Sequence, residues 1–188
     1  MHMTAYRNIL GLSAAILAAS LSAPALAGNA DLNLNSEAVQ GELNGEISNG
    51  VQLGGGILSS DDHDDVTAGH VQLLGTERTS EYDVGLGARW SQYDTDHGDG
   101  GGLGLGGYGY YYLPGAPRVS LGGYGYVTPN VVTSDELEHS YEYGLRARYQ
   151  VIDNVEGYVG YRKVKADFDN RDERTLDSGP LVGMRLQF

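Results

Sequence analysis

Three stretches of this chain alternate without exception between apolar or small residues and polar or small ones for nine or more positions. In residues 39–47, Val39, Gly41, Leu43, Gly45 and Ile47 fall on one side, and Gln40, Glu42, Asn44 and Glu46 on the other. Residues 82–91 set Tyr82, Val84, Leu86, Ala88 and Trp90 against Asp83, Gly85, Gly87, Arg89 and Ser91. Residues 141–151 set Tyr141, Tyr143, Leu145, Ala147, Tyr149 and Val151 against Glu142, Gly144, Arg146, Arg148 and Gln150. A fourth stretch places Pro180, Val182, Met184, Leu186 and Phe188 opposite Gly183, Arg185 and Gln187, with Leu181 as the one apolar residue on the polar side. A period of two is strand geometry, with one face apolar. Helix signals are nearly absent, and 29 Gly argue against helices because glycine is costly inside them.

Further strands are expected near residues 51–59, 66–74, 102–113, 118–128 and 155–166, with a short one at 31–35. The breaks between strands alternate in kind. Tight ones fall at Ser48-Asn49-Gly50, Leu113-Pro114-Gly115-Ala116-Pro117 and Ile152-Asp153-Asn154, with 75–80 of medium length. Longer acidic ones fall at 59–65, 94–101, 129–138 and 167–177. Alternation alone also fits a soluble β-sandwich. A sandwich core, however, wants bulky aliphatic and Phe residues, whereas here small or apolar groups lie opposite mid-strand Glu, Arg and Gln. A transmembrane barrel accommodates both patterns, since its lumen is polar and its short turns and long loops alternate. Only alternate residues then meet hydrocarbon, which reconciles a negative mean hydropathy with a place in lipid. The expected fold is therefore all-β, a transmembrane antiparallel β-barrel.

The amino terminus supplies an address. Arg7 gives a positive start, residues 9–21 are apolar apart from Gly and Ser, and Ala25-Leu26-Ala27 is a small-x-small cleavage site. This is the pattern of a secretory signal peptide over residues 1–27, with the barrel over 28–188. Gly183, Leu186 and the aromatic Phe188 carry a tail that resembles the carboxy-terminal signal read by the outer-membrane barrel-assembly machinery. With both ends on the periplasmic side the strand number is even. Counting the 31–35 segment makes ten, which parity favours over the eight that the length of the chain would suggest.

These features together resemble the YfaZ family of small outer-membrane proteins. The resemblance rests on the signal peptide, Ser59-Ser60-Asp61-Asp62 after a Gly-rich strand, and Gly85-Leu86-Gly87-Ala88-Arg89-Trp90. It extends through 154–162 and the tail 177–188. It implies an outer-membrane barrel, and it brings neither a reaction nor catalytic residues.

Composition excludes several functions. With 12 Lys+Arg against 25 Asp+Glu, the net charge of −13 makes nucleic acid an unfit partner. The absence of Cys removes disulfides, thiolate metal sites and a thiol nucleophile. The expected lumen face collects Glu42, Glu46, Asp83, Arg89, Glu142, Arg146, Arg148, Glu156, Arg162 and Arg185. Such a lining suits either a narrow polar pore for small solutes or ions, or an ion-pair network that fills a rigid barrel. Tyr108, Tyr110, Tyr112, Tyr124 and Tyr126 are expected inward, packed over cross-strand Gly. Trp90, Tyr93, Tyr141, Tyr149 and Phe188 are expected at the membrane interfaces.

No cofactor or discrete metal site is expected. Asp94-Thr95-Asp96 begins like a calcium loop, but Gly98 holds the third ligand position and Leu105 the twelfth. The acidic loops, including Asp61-Asp62-His63-Asp64-Asp65, read first as solvated surface, with divalent cations shared between their carboxylates and lipopolysaccharide phosphates as a middle position. A rim enzyme or ligand-binding barrel using His63, His97 or His139 is the alternative. No nucleophile, base and orienting group occur at a recognisable spacing.

Overall fold

Inside a bilayer every backbone N–H and C=O must be paired within the protein, so a spanning sheet has to close on itself. The computed structural model, which describes residues 27–60, 66–95, 98–135, 137–168 and 174–188, closes in this way. Its long strands are β1 (Gly28–Leu34), β2 (Ala38–Ser48), β3 (Val51–Ser60), β4 (Val66–Arg78) and β5 (Tyr82–Thr95). They continue as β6 (Gly98–Leu113), β7 (Ala116–Thr128), β9 (Leu137–Ile152), β10 (Val155–Phe168) and β11 (Arg174–Gln187). The three-residue β8 (Thr133–Asp135) belongs to the connection after β7 and, among the described residues, pairs with β6. Each long strand pairs antiparallel with its neighbour in sequence, β7 pairs with β9, and β11 returns to β1 from Asn29↔Gln187 to Leu34↔Val182. The result is a closed ten-stranded antiparallel barrel.

The short turns cluster at one end, the periplasmic end of barrels of this class. Asn49-Gly50 joins β2 to β3 as a two-residue turn, Ser48 facing Val51. Gly50 sits at φ +71, the left-handed conformation that such turns demand and that a Cβ disfavours. Phe188 and Gly28 meet at the same end and exchange two backbone hydrogen bonds, of 2.7 and 3.0 Å.

Two expectations need correction. Strand β1 begins at Gly28, not Asp31, because Gly28–Leu34 is laddered on both sides, to β2 and to β11. Residues 94–101 are not a long acidic loop: the β5–β6 ladder runs on through Asp94↔Asp99 and Thr95↔Gly98.

The outer surface carries the apolar face of each alternation. Val71, Leu73, Leu86, Leu105, Leu121, Leu145, Val159, Val182 and Met184 are all exposed there, as is Trp90. The Gly and Tyr content also has a structural reason. Tyr108, Tyr124 and Tyr158 lay their rings over the cross-strand glycines Gly85, Gly144 and Gly183. A Cβ on those glycines would meet the rings at 2.5, 2.4 and 2.3 Å. Aromatic side chains thus cover glycines on the inner wall, which lets large rings lie flat in a narrow bore.

Candidate functional site in the barrel lumen

The inward positions of the strands divide into zones along the barrel axis. At the outer end, Ala38, Leu58, Val66, Ala68, Tyr93, Leu137, Val164, Ala166 and Leu176 form one buried apolar cluster. These residues come from β2, β3, β4 and β5 on one side and from β9, β10 and β11 on the other. Side chains from seven strands thus contribute to one buried apolar layer at this end. The charged residues expected on the lumen face lie below this layer, and the buried polar side chains at its level include Ser60, Thr128 and Ser140. Tyr93, expected at the lipid interface, belongs to this cluster and is only 4% exposed. It lies on the inward side of β5 with Asp83, Arg89 and Ser91, and its hydroxyl is 3.4 Å from Ser140 Oγ across the bore.

Beneath the apolar cluster lies a hydrogen-bonded ionic network. Arg162 pairs with Asp177, and both are fully buried. The Arg162 guanidinium also donates to Asn33 Oδ1 at 2.7 Å and to Gln40. Asn35 donates to the free side of Asp177 at 2.7 Å. Arg89 reaches across from β5 to Glu142 on β9 at 3.0 Å and lies 3.7 Å from Glu42. Gln72 ties these strands together: it accepts from Arg89 at 2.8 Å and Tyr126 at 2.9 Å, and donates to Asn44 at 2.8 Å. His70 lies 3.2 Å from Glu42.

A second group surrounds Asp31 in β1. Its Oδ2 is 3.4 Å from Arg146 and 3.3 Å from Arg185, while Tyr158 donates to its Oδ1. Arg148 stacks 3.2 Å from the centroid of the Tyr110 ring. Nearer the periplasmic mouth, Arg78 pairs with Asp83 at 3.0 Å, and Glu156 accepts from Gln187 at 3.1 Å. Glu46 is exposed at this mouth and accepts the Gly50 N–H at 3.2 Å. Two cavities follow one another along the bore. The inner one, about 40 Å³, is lined by tyrosines, Arg89, Arg146, Arg148 and Arg185 among others. The outermost toward the periplasm, about 210 Å³, lies among Glu46, Arg78, Asp83, Tyr108 and Arg185.

All ten charged residues singled out from the sequence lie on inward strand positions. The partners that fix them were not singled out. Asp31, Asn33, Gln40, His70 and Gln72 follow the same parity and were open to the same reasoning. Asp177 falls in a stretch read as loop, and its burial depends on the β10–β11 ladder continuing in one register as far as Val164↔Asp177. Of the assembly-signal residues, Gly183 receives the Tyr158 ring, Leu186 faces outward opposite Ala30, and Phe188 joins Gly28.

At the outer rim, His139 Nδ1 stands 3.7 Å from Asp167 Oδ2. Together with Glu138 these residues bring ligand atoms within 4.8 Å of one another. His63 and His97, with Asp61, Asp62, Asp64, Asp65 and Asp96, lie outside the described residues.

Comparison with known proteins accords with the architecture. The chain matches the family described as YfaZ precursor over residues 6–188. No curated protein matches it. Its backbone is similar to the outer membrane protease OmpT of Escherichia coli, at a TM-score of 0.57 and 13% identity, covering 87% of this chain and 93% of that one. The NanC porin is covered in full by 87% of this chain, at 12% identity and a TM-score of 0.45. At these identities the likeness concerns the fold.

Proposed function

We propose, from the premise that this chain belongs to the YfaZ precursor family and folds as a ten-stranded outer-membrane barrel, that it serves as a closed structural barrel and not as a diffusion pore. The observation that carries this reading is the apolar cluster of nine side chains, drawn from opposite walls, across the outer end of the bore. An ion crossing such a layer must shed its water for few polar partners in return, and hydrophobic constrictions gate channels for that reason. The ionic network below it supports the same reading: Arg162, Asp177 and Arg89 are tied across the bore and have little freedom to line a path. In this reading the protein is exported, loses residues 1–27 and is inserted by the barrel-assembly machinery. Its acidic outer end, with Glu37, Asp94 and Asp99 exposed, then meets lipopolysaccharide through shared divalent cations.

Planar bilayer recording tests the reading. The wild-type protein is expected to give no discrete conductance steps. A variant that hollows the layer, Leu58→Ala with Leu137→Ala and Leu176→Ala, is expected to give small steps. Regular steps from the wild type, abolished by enlarging Ala68 to Leu, would refute closure.

A further inference from the structure

The inner cavity has an imbalance that the ionic network leaves unresolved. Arg89, Arg146, Arg162 and Arg185 each reach a carboxylate. Arg148, equally buried at 3% exposure, reaches none among the described residues and lies only against the Tyr110 ring. A ring face offsets part of the cost of removing a guanidinium from water, and the remainder needs an anion or hydrogen-bond acceptors. Asp31 is already shared by Arg146, Arg185 and Tyr158. Glu156 accepts from Gln187 through Oε1, and its Oε2 is buried without a partner and does not reach Arg148.

The unpartnered atoms around this cavity indicate what is missing. Arg148 Nε, Arg146 Nε and the Tyr124 hydroxyl are buried without a partner, and all three side chains line the same cavity. All three are able to donate. Glu142 Oε1 is also unpartnered; its carboxylate stands on β9, the strand of Arg146 and Arg148, and shares Arg89 with Glu42. The cavity lining is thus mixed in charge, with Arg146, Arg148 and Arg185 in excess over Glu42 and Glu142 once Arg89 is paired. Its volume of about 40 Å³ admits a few water-sized particles and excludes a sugar ring. Asn29, Gln52, Tyr108 and Arg185 line both this cavity and the periplasmic vestibule, so entry is from the periplasm.

We propose that the lumen is an anion well, open to the periplasm and blind at its outer end, in which Arg148, Arg146 and Arg185 hold one inorganic anion of chloride size beside Tyr110 and Tyr124. That the well is blind rests on the closed outer layer; the site itself does not.

The test is the linewidth of chloride-35 NMR with the protein purified from outer membranes in detergent. The wild type is expected to broaden the signal well above a detergent blank, and bromide is expected to displace the chloride. Arg148→Met is expected to reduce the broadening at least tenfold. Ser120→Asp provides a second variant that does not remove the arginine. Ser120 is buried and is the cross-strand neighbour of Arg148, so an aspartate there supplies an internal carboxylate. Ser120→Asp is expected to abolish chloride broadening while the heat-modifiable folded band persists. No broadening above the blank by the wild type means that water alone fills the cavity, and overturns the proposal. Broadening unchanged in both variants places the anion elsewhere and overturns it equally. Anion-selective steps in a bilayer would refute the closed barrel and leave the linewidth result to decide the site.

Discussion

Asp177→Ala tests the part of the interior on which the barrel depends most. Arg162 and Asp177 are both fully buried, and Asp177 is the one carboxylate that Arg162 reaches among the described residues. Truncation leaves the guanidinium with only Asn33 and Gln40, and strips Asn35 of its acceptor. Removing one partner of a buried ion pair costs about 3–5 kcal/mol, because the other charge stays buried and uncompensated. With a urea dependence of about 2 kcal/mol per molar, the unfolding midpoint should fall by about 2 M. Trp90, the only tryptophan and lipid-facing, reports unfolding from lipid vesicles through its emission as it leaves hydrocarbon. The variant Arg162→Met with Asp177→Leu removes both charges at once and should recover at least about half of the loss, since the stranded charge is gone. A loss below about 1 kcal/mol in Asp177→Ala would refute the reasoning. So would a double variant as unstable as the two single losses added together.

Three further outcomes follow from the geometry. Gly144→Val should cost about 1–3 kcal/mol by displacing the Tyr124 ring, whereas Gly125→Ala, whose nearest atom would be 3.6 Å away, should be close to neutral; vesicle unfolding separates them. Leu86→Arg puts a charge on one of the most exposed positions of the lipid face and should cost about 2–4 kcal/mol near mid-bilayer, read as a lower folded fraction on unboiled gels. Tyr158→Phe removes the hydroxyl that donates to Asp31 and should cost about 1.5–3 kcal/mol in the same unfolding assay, with the barrel otherwise retained.

Alternation made the wall legible. Residues 39–47, 82–91 and 141–151 each lie within a single long strand, with sidedness as read from the chain. Parity brought in the short first strand and with it the count of ten, although its residues 28–30 carry too little pattern to mark where it starts. The inward charges were legible for the same reason. What period two cannot convey is height along the axis. Leu58, Val66, Leu137 and Leu176 look like ordinary strand residues in sequence. Only the register of seven strands brings them to one level, where they form a single buried apolar cluster. Tyr93 misled because an aromatic near a strand end fits the interface as well as the bore, and only its parity with Arg89 separates the two. The lone Arg148 was named among ten charges that seemed balanced, and a balanced total hides a local excess.

The seam between β1 and β11 has a consequence for how the molecule comes into being. Its two sides are separated by nearly the whole chain, as in Ala30 opposite Leu186. Until the final strand arrives, the growing sheet keeps two raw edges, each a row of amides seeking company and each a template for the wrong neighbour. Every such half-made wall is intolerable to oil. Insertion and closure are therefore coupled, and a chain cut short by one strand should be lost to proteolysis or aggregates, not stored as a nine-stranded remnant.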